Sequence, residues 1–365
     1  MSPFQSPAAS LVFALCQPQA VNASENDLIK ADPEAIMDFA SRNGVAPWCY
    51  HQISEISPKE ESVKQLIKKL RMQYLQTLLL NQQKWKVFHD MNSLAQGKGI
   101  TIIPLKGTAL AFSLYPQESL RPMGDIDILV DQENIFKLRD LLLQKGGKQL
   151  HIPISSLHEK IHAHIPALSW QNTMIEPHQR LFAMGSKFNL AGTDLFHHTI
   201  QSEKHPDFKV FDDIMQTYHL CAHTYKEYKM GGMRLGWLLD IALLLKRNRH
   251  DEDFRDKVMK INPKVKSKIK TVLQWSSTLL PEASTEEPSK MGFPPEHMFV
   301  KENNPEGKHK IMILHEIAGL PGLGPSAVML FRELFPEKRY MDHQYGKHRG
   351  ISLFKLYLKR IAGMT

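Results

Sequence analysis

The sequence predicts an α+β protein: a small mixed sheet flanked by N-terminal helices and followed by a helical C-terminal domain. Three observations carry this. Short runs rich in β-branched and apolar residues, at 101–105, 125–130, 161–170 and 174–182, alternate with helical patterns. Before them, apolar residues recur at helical spacing from Val63 to Met91. After about residue 194 the helical spacing resumes and continues to the end. The implied regions are 1–97, 98–192 and 193–365.

Each element has a local reason. Asp32-Pro33-Glu34 opens a helix with an N-cap, a proline at its first position and acid in its first turn. Ser57-Pro58 opens a longer one, with Val63, Leu66, Leu70, Tyr74, Leu78, Trp85, Phe88 and Met91 on its apolar side; Gly97 and Gly99 end it. The strand at 101–105 runs into Lys106-Gly107-Thr108 and a helix that stops before Pro116. The strand at 125–130 precedes a helix at 132–145, closed by Gly146-Gly147. Two further strands meet at a polar turn, Gln171-Asn172-Thr173. Helices are expected at 211–228, 234–246, 263–280, 310–317 and 352–361, with breaks at 281–295 and 302–307.

At 365 residues, the chain can bury a substantial core. Its three cysteines, Cys16, Cys49 and Cys221, are odd in number and far apart in sequence, so reduced thiols in a cytoplasmic protein are expected. No apolar stretch approaches the roughly 20 residues that cross a bilayer, and no basic segment precedes the apolar residues 11–15, so neither membrane insertion nor a signal peptide is expected. The net charge of +8 suits a polyanionic partner: nucleotide, nucleic acid such as RNA, or a membrane-associated substrate. The lysines at 64, 68 and 69 and at 264, 266, 268 and 270 sit on helical stretches and read as solvated faces.

The chemistry concentrates in Arg121-Pro-Met-Gly-Asp125-Ile-Asp127-Ile-Leu-Val130. Strand residues alternate faces, so Asp125 and Asp127 point one way while Ile126, Ile128 and Val130 enter the core. Neighbouring carboxylates repel unless a cation separates them, and oxygen ligands of this kind suit Mg²⁺ shared with phosphates. The glycine in Lys106-Gly107-Thr108, between a strand and a helix, lets backbone amides approach a phosphate. Arg121 offers a charge-assisted phosphate contact. Glu176, in a strand-like segment, supplies a third carboxylate, and His178 shares its face. Pro177 between them argues for an edge strand. Among 18 histidines, His158, His162 and His164, and the pair His219 and His223, have spacings compatible with zinc but no completing ligand, so packing roles are favoured. Asp240, after Trp237, is expected either facing a cleft or in a salt bridge with Arg234.

This ordered set resembles the uncharacterised nucleotidyltransferase family of the polymerase-beta-type superfamily. The likeness rests on Leu105-Lys106-Gly107, Tyr115-Pro116, Arg121-x-x-Gly-Asp125-Ile-Asp127 and Ile175-Glu176-Pro177-His178, with Leu235-Gly-Trp237-Leu-Leu-Asp240 and Leu334-Phe-Pro336 later in the chain. It implies a nucleotidyltransferase-type sheet and Mg²⁺-dependent transfer of a nucleoside monophosphate from ATP or another NTP to an acceptor hydroxyl. That acceptor would belong to a small molecule, a sugar precursor or a protein. Asp125, Asp127 and Glu176 would hold metal, Glu176 would help deprotonate the acceptor, and Lys106, Gly107, Thr108 and Arg121 would hold phosphates, with His178 touching substrate. The alternatives are toxin-like transfer onto RNA and a catalytically silent nucleotide-binding protein.

Overall fold

The computed structural model describes residues 2–19, 21–190, 195–280, 292–300, 314, 316–345 and 352–361. The chain packs as two compact units, each assembled from separated segments. One comprises residues 1–89, 104–124 and 194–308 and is mainly helical; the other comprises 90–103, 125–193 and 309–365 and holds the sheet. The expected boundary at 192/193, the breaks at 281–295 and 302–307 and the helix at 310–317 lie wholly or largely outside the described residues. No described helix is long and apolar enough to cross a membrane.

The helical unit begins with α1 (Pro7–Leu15), α2 (Glu25–Lys30), α3 (Pro33–Arg42) and α4 (Ala46–Ile53). Asp32 caps α3 by accepting the Glu34 N–H at 3.0 Å, as its Asp-Pro opening requires. α5 (Glu61–Gln96) is a single helix of 36 residues whose last turns belong to the sheet unit. α6 (Lys106–Ser113), α9 (Asp213–Met230), α10 (Leu235–Arg247), α11 (Phe254–Lys260), α12 (Lys266–Ser277) and α13 (His297–Val300) complete it. α9 packs on α10 and α12 around fully buried Tyr218, Leu238 and Trp275. A two-stranded antiparallel hairpin, β6 (Thr199–Gln201) and β7 (Lys209–Phe211), precedes α9, where only helix was expected. The sequence does carry its signal, Pro206-Asp207 between apolar ends. All three cysteines are buried thiols. Cys16 and Cys49, distant in sequence, are hydrogen-bonded neighbours in the fold, and burial first, then Cys49, pushes the Cys16 thiol up.

The sheet unit runs β1 (Ile102–Pro104), β2 (Ile126–Val130), α7 (Ile135–Gln144), β3 (Lys148–Gln149), α8 (Ser156–Ile161), β4 (Leu168–Trp170) and β5 (Thr173–His178), then α14 (Leu323–Leu334), α15 (Lys338–Gln344) and α16 (Leu353–Ile361). The strand order is β1-β2-β5-β4-β3, with β2 parallel to β5 and β4 antiparallel to both β5 and β3. This is the mixed sheet of the expected α+β class. α7 ends as its glycines dictate: Gly146 adopts φ +87°, and a Cβ on Gly147 would stand 2.8 Å from the Leu142 carbonyl.

Two expectations are corrected here. The segment 161–170 is strand only at β4; Ser155 accepts the His158 N–H at 3.1 Å and starts α8 just before it. β5 is not an edge strand but lies between β2 and β4. Pro177 is tolerated because it pairs with Ile128 of β2 and sits past the end of β4, where its carbonyl still accepts the Ile165 N–H at 3.0 Å and the β4 ladder no longer asks it for a donor.

Every residue of β2 is buried, Ile126, Ile128 and Val130 completely. Ile128→Ala is therefore expected to destabilise the protein by about 2–5 kcal/mol, read as a lower denaturation midpoint with an unchanged slope in urea.

Candidate active site

In the sheet unit, the register of the two central strands sets the chemistry. β2 and β5 pair with Ile126 opposite Ile175, Asp127 opposite Glu176 and Leu129 opposite His178. Because the strands are parallel and in this register, two carboxylates from distant parts of the chain become neighbours on one face. Asp127 is only 5% exposed, whereas the Glu176 side chain retains 26%. The His178 Nε2–H donates to Asp127 Oδ1 at 2.9 Å and lies 3.9 Å from Glu176 Oε2. Ligating atoms of Asp127, Glu176 and His178 all fall within 4.8 Å of one another. Asp125 is not a member of that cluster; it stands half-buried one residue ahead of β2.

This donor set fits a divalent cation. Two hard carboxylate oxygens converge where burial makes an unneutralised pair costly, and Glu176 is open enough to meet a substrate. The imidazole's hydrogen bond fixes the Asp127 carboxylate, as outer partners of metal ligands commonly do.

The His158, His162 and His164 spacing resolves as a row of rings. His158 stacks on His162 at 5.0 Å, His162 meets His164 edge to face at 4.5 Å, and His164 meets His178 at 5.4 Å. Burial first, then the charge of His164, lowers the His158 pKa. Among the described residues these three do not bring a ligating triad together, and neither do His219 and His223, the latter packing on Trp237.

The remaining predicted residues belong to the helical unit. Lys106, Gly107 and Thr108 form the first turn of α6, which has no side-chain cap. Lys106 adopts φ +46°, a left-handed conformation that costs a non-glycine residue about 1–2 kcal/mol. Gly107 is required by its neighbour: a Cβ there would run into the Arg121 guanidinium, with Met123 Cγ at 3.3 Å. The Thr108 Oγ1 is buried and has no hydrogen-bond partner among the described residues.

Arg121, expected on a phosphate, is placed on Asp240. Its Nη2 donates to Asp240 Oδ2 at 2.8 Å, its Nε to Oδ1 at 3.2 Å and its Nη1 to the Pro122 carbonyl at 2.9 Å. The Tyr115 hydroxyl donates to the same carboxylate at 2.7 Å. Asp240 is 0% exposed, so its charge depends on these partners. The expected Asp240 salt bridge thus exists, but with Arg121; Arg234 lies over the Trp237 ring at 5.7 Å. A cavity of about 330 Å³ beside this network is lined by Asn43, Gln73, Thr77, Arg121, Arg234 and Trp237. The sequence does not disclose the role of Tyr115, because its partner Asp240 is too distant in the chain for spacing to reveal it.

A profile of the family described as uncharacterised nucleotidyltransferase matches residues 30–268 of the chain. Among solved structures, the chain is similar to the antibiotic-resistance factor ANT(2'')-Ia, determined in solution. That likeness has 9% identity and a TM-score of 0.38, and it covers 53% of this chain and 96% of that one. No curated protein sequence matches the chain.

The Asp240 network makes two predictions. Asp240→Ala leaves the Arg121 guanidinium without its buried counter-charge and is expected to cost about 3–5 kcal/mol in equilibrium unfolding. Burial first, then the Asp240 charge, raises the Tyr115 pKa well above the ordinary tyrosine value. The folded state therefore keeps a proton that the unfolded chain releases above about pH 10, so this contribution is intact below that pH and declines as pH rises through it. Tyr115→Phe is expected to cost about 1–3 kcal/mol at neutral pH. It is also expected to flatten the alkaline loss of stability by up to about 1.4 kcal/mol per pH unit, as read by urea unfolding from pH 9 to 11.

Proposed function

The chain belongs to the uncharacterised nucleotidyltransferase family, and we propose that it transfers a nucleoside monophosphate from an NTP to an acceptor hydroxyl with Mg²⁺ held by Asp125, Asp127 and Glu176. The observation that carries this reading is the convergence of Asp127, Glu176 and His178 on the central strands of the sheet. Mg²⁺ bound there would neutralise the triphosphate oxygens and the charge that develops in the transition state.

The chain's own groups divide the remaining work. Asp127, held by His178, and Asp125, at the start of the same strand, present oxygen ligands on a rigid element. Glu176, the more exposed of the pair, takes the proton of the acceptor hydroxyl. The acceptor oxygen bonds to the α-phosphorus as the bond to the β-phosphate oxygen breaks, and pyrophosphate leaves. His178, beside Asp127, would also face a substrate bound at this cluster. In the helical unit, the Lys106 ammonium and the uncapped N–H groups at the start of α6, Gly107 and Thr108 among them, are suited to an anion such as a phosphate. Arg121 positions the first turn of α6 from its seat on Asp240.

The acceptor class is a small molecule, a sugar precursor or a protein. The net charge of +8 also favours RNA as an acceptor, and a steep fall of RNA binding with salt would select that reading.

The test is calorimetric binding of ATP, GTP, CTP and UTP, with and without Mg²⁺, to the wild type and Asp127→Asn. Mg²⁺-dependent binding of one nucleotide, weakened at least about tenfold in the variant, is expected. Transfer to any acceptor should fall at least about a hundredfold in Asp125→Ala/Asp127→Ala. Activity that survives the double change overturns the assignment, and nucleotide binding without transfer selects the silent binding protein.

A further inference from the structure

A second convergence of ligating side chains lies in the helical unit and plays no part in the reading above. His89 projects from α5, and His205 and Asp207 come from the loop joining β6 to β7. Their ligating atoms all lie within 4.8 Å of one another. His89 Nδ1 stands 3.0 Å from Asp207 Oδ2, and the two imidazole centroids are 6.0 Å apart. Both rings are held by an aromatic shell. His205 stacks on Phe208 at 5.7 Å with planes 14° apart and meets Trp85 edge to face at 4.7 Å. His89 meets Trp85 at 4.6 Å, and Phe88 meets Phe208 at 5.0 Å. The His205 backbone N–H is tied to Ser202 Oγ at 3.3 Å.

We propose that His89, His205 and Asp207 bind a divalent transition metal, zinc in the first instance, and that the metal clasps the β6–β7 hairpin onto α5. Two imidazoles and one carboxylate are the donors that zinc takes at sites with one open position, whereas Mg²⁺ prefers oxygen alone. Zinc bonds of about 2.0–2.2 Å put tetrahedral ligands about 3.3–3.5 Å apart, so the cluster needs to contract by no more than about 1.5 Å. The contraction falls on the exposed side of the cluster, since the Asp207 side chain is 45% exposed and lies on a loop. The aromatic shell restricts both rings before a metal arrives, which lowers the entropic cost of ordering them. The proposal holds whether or not the chain transfers nucleotides.

The experiment titrates the untagged full chain with Zn²⁺ against a chromophoric chelator and uses Co²⁺ as a spectroscopic probe. Because Asp127, Glu176 and His178 also include an imidazole, Asp127→Asn is measured in parallel to separate the two sites. One zinc per chain is expected in the wild type and in Asp127→Asn, with Co²⁺ giving the visible absorption of a four-coordinate site in both. His205→Gln and Asp207→Asn should each weaken zinc at least about tenfold and abolish that absorption. Asp207→Asn changes an exposed loop residue, so its thermal unfolding without metal should match the wild type while the zinc-induced rise in Tm is lost. Zinc affinity, cobalt spectrum and Tm shift that are all unchanged by both substitutions would overturn the proposal. So would the absence of stoichiometric zinc binding in Asp127→Asn; the His89–Asp207 ion pair and ring stacking would then account for the cluster on their own.

Discussion

The parallel register of β2 and β5 is the constraint on which the candidate chemistry depends. It sets Asp127 directly opposite Glu176 and puts His178 within a hydrogen bond of Asp127. Two carboxylates within 4.8 Å of each other repel by about 3–4 kcal/mol at an effective dielectric constant of about 20, so such a pair is not placed cheaply. The sheet can hold it because Ile126, Ile128, Val130 and Ile175 are completely buried and fix both strands. A shift of one residue along either strand would turn Asp127 and Glu176 to opposite faces. The site is therefore a consequence of apolar packing on the residues between the acids, and its rigidity suits chemistry that consists of positioning and charge neutralisation.

A second buried charge organises the helical unit. The fully buried Asp240 carboxylate gathers Arg121 and Tyr115, and through Arg121 it covers the first turn of α6. Asn81 fastens the same loop to α5 by donating to the Glu118 and Arg121 carbonyls at 2.6 and 2.9 Å. Burying an ion pair is not in itself stabilising, because desolvation offsets the Coulomb gain; its value is that only one arrangement satisfies it. Here that arrangement explains a glycine. Gly107 is kept small by the Arg121 guanidinium, and Lys106 beside it adopts a left-handed conformation.

Much of this was legible in the sequence wherever the cause is local. Asp32-Pro33 announces α3, the glycine pair at 146–147 announces the end of α7, and β-branched alternation announces β2. Glu176 and His178 were legible as strand neighbours two residues apart. The β6–β7 hairpin and α8 were hidden because each is a short element whose signal, a turn or a single capping serine, is weak beside the long helical patterns. The edge position inferred from Pro177 failed because Pro177 lies just past the last β4–β5 pair while still paired with Ile128 of β2, so its missing donor interrupts no β4 ladder.

The sequence by itself determined the fold class, the acidic strand and the residue types available for metal and phosphate chemistry, since these follow from periodicity and side-chain identity over a few neighbouring positions. The tertiary structure alone decided the pairings: Asp127 with Glu176, Arg121 with Asp240 rather than Arg234, Cys16 beside Cys49, and His89 with His205 and Asp207. The physical reason is that burial, hydrogen bonding and charge neutralisation act through space, between residues that the chain separates by tens of positions or more. No spacing along the sequence records which of several suitable partners will be adjacent once the core has closed.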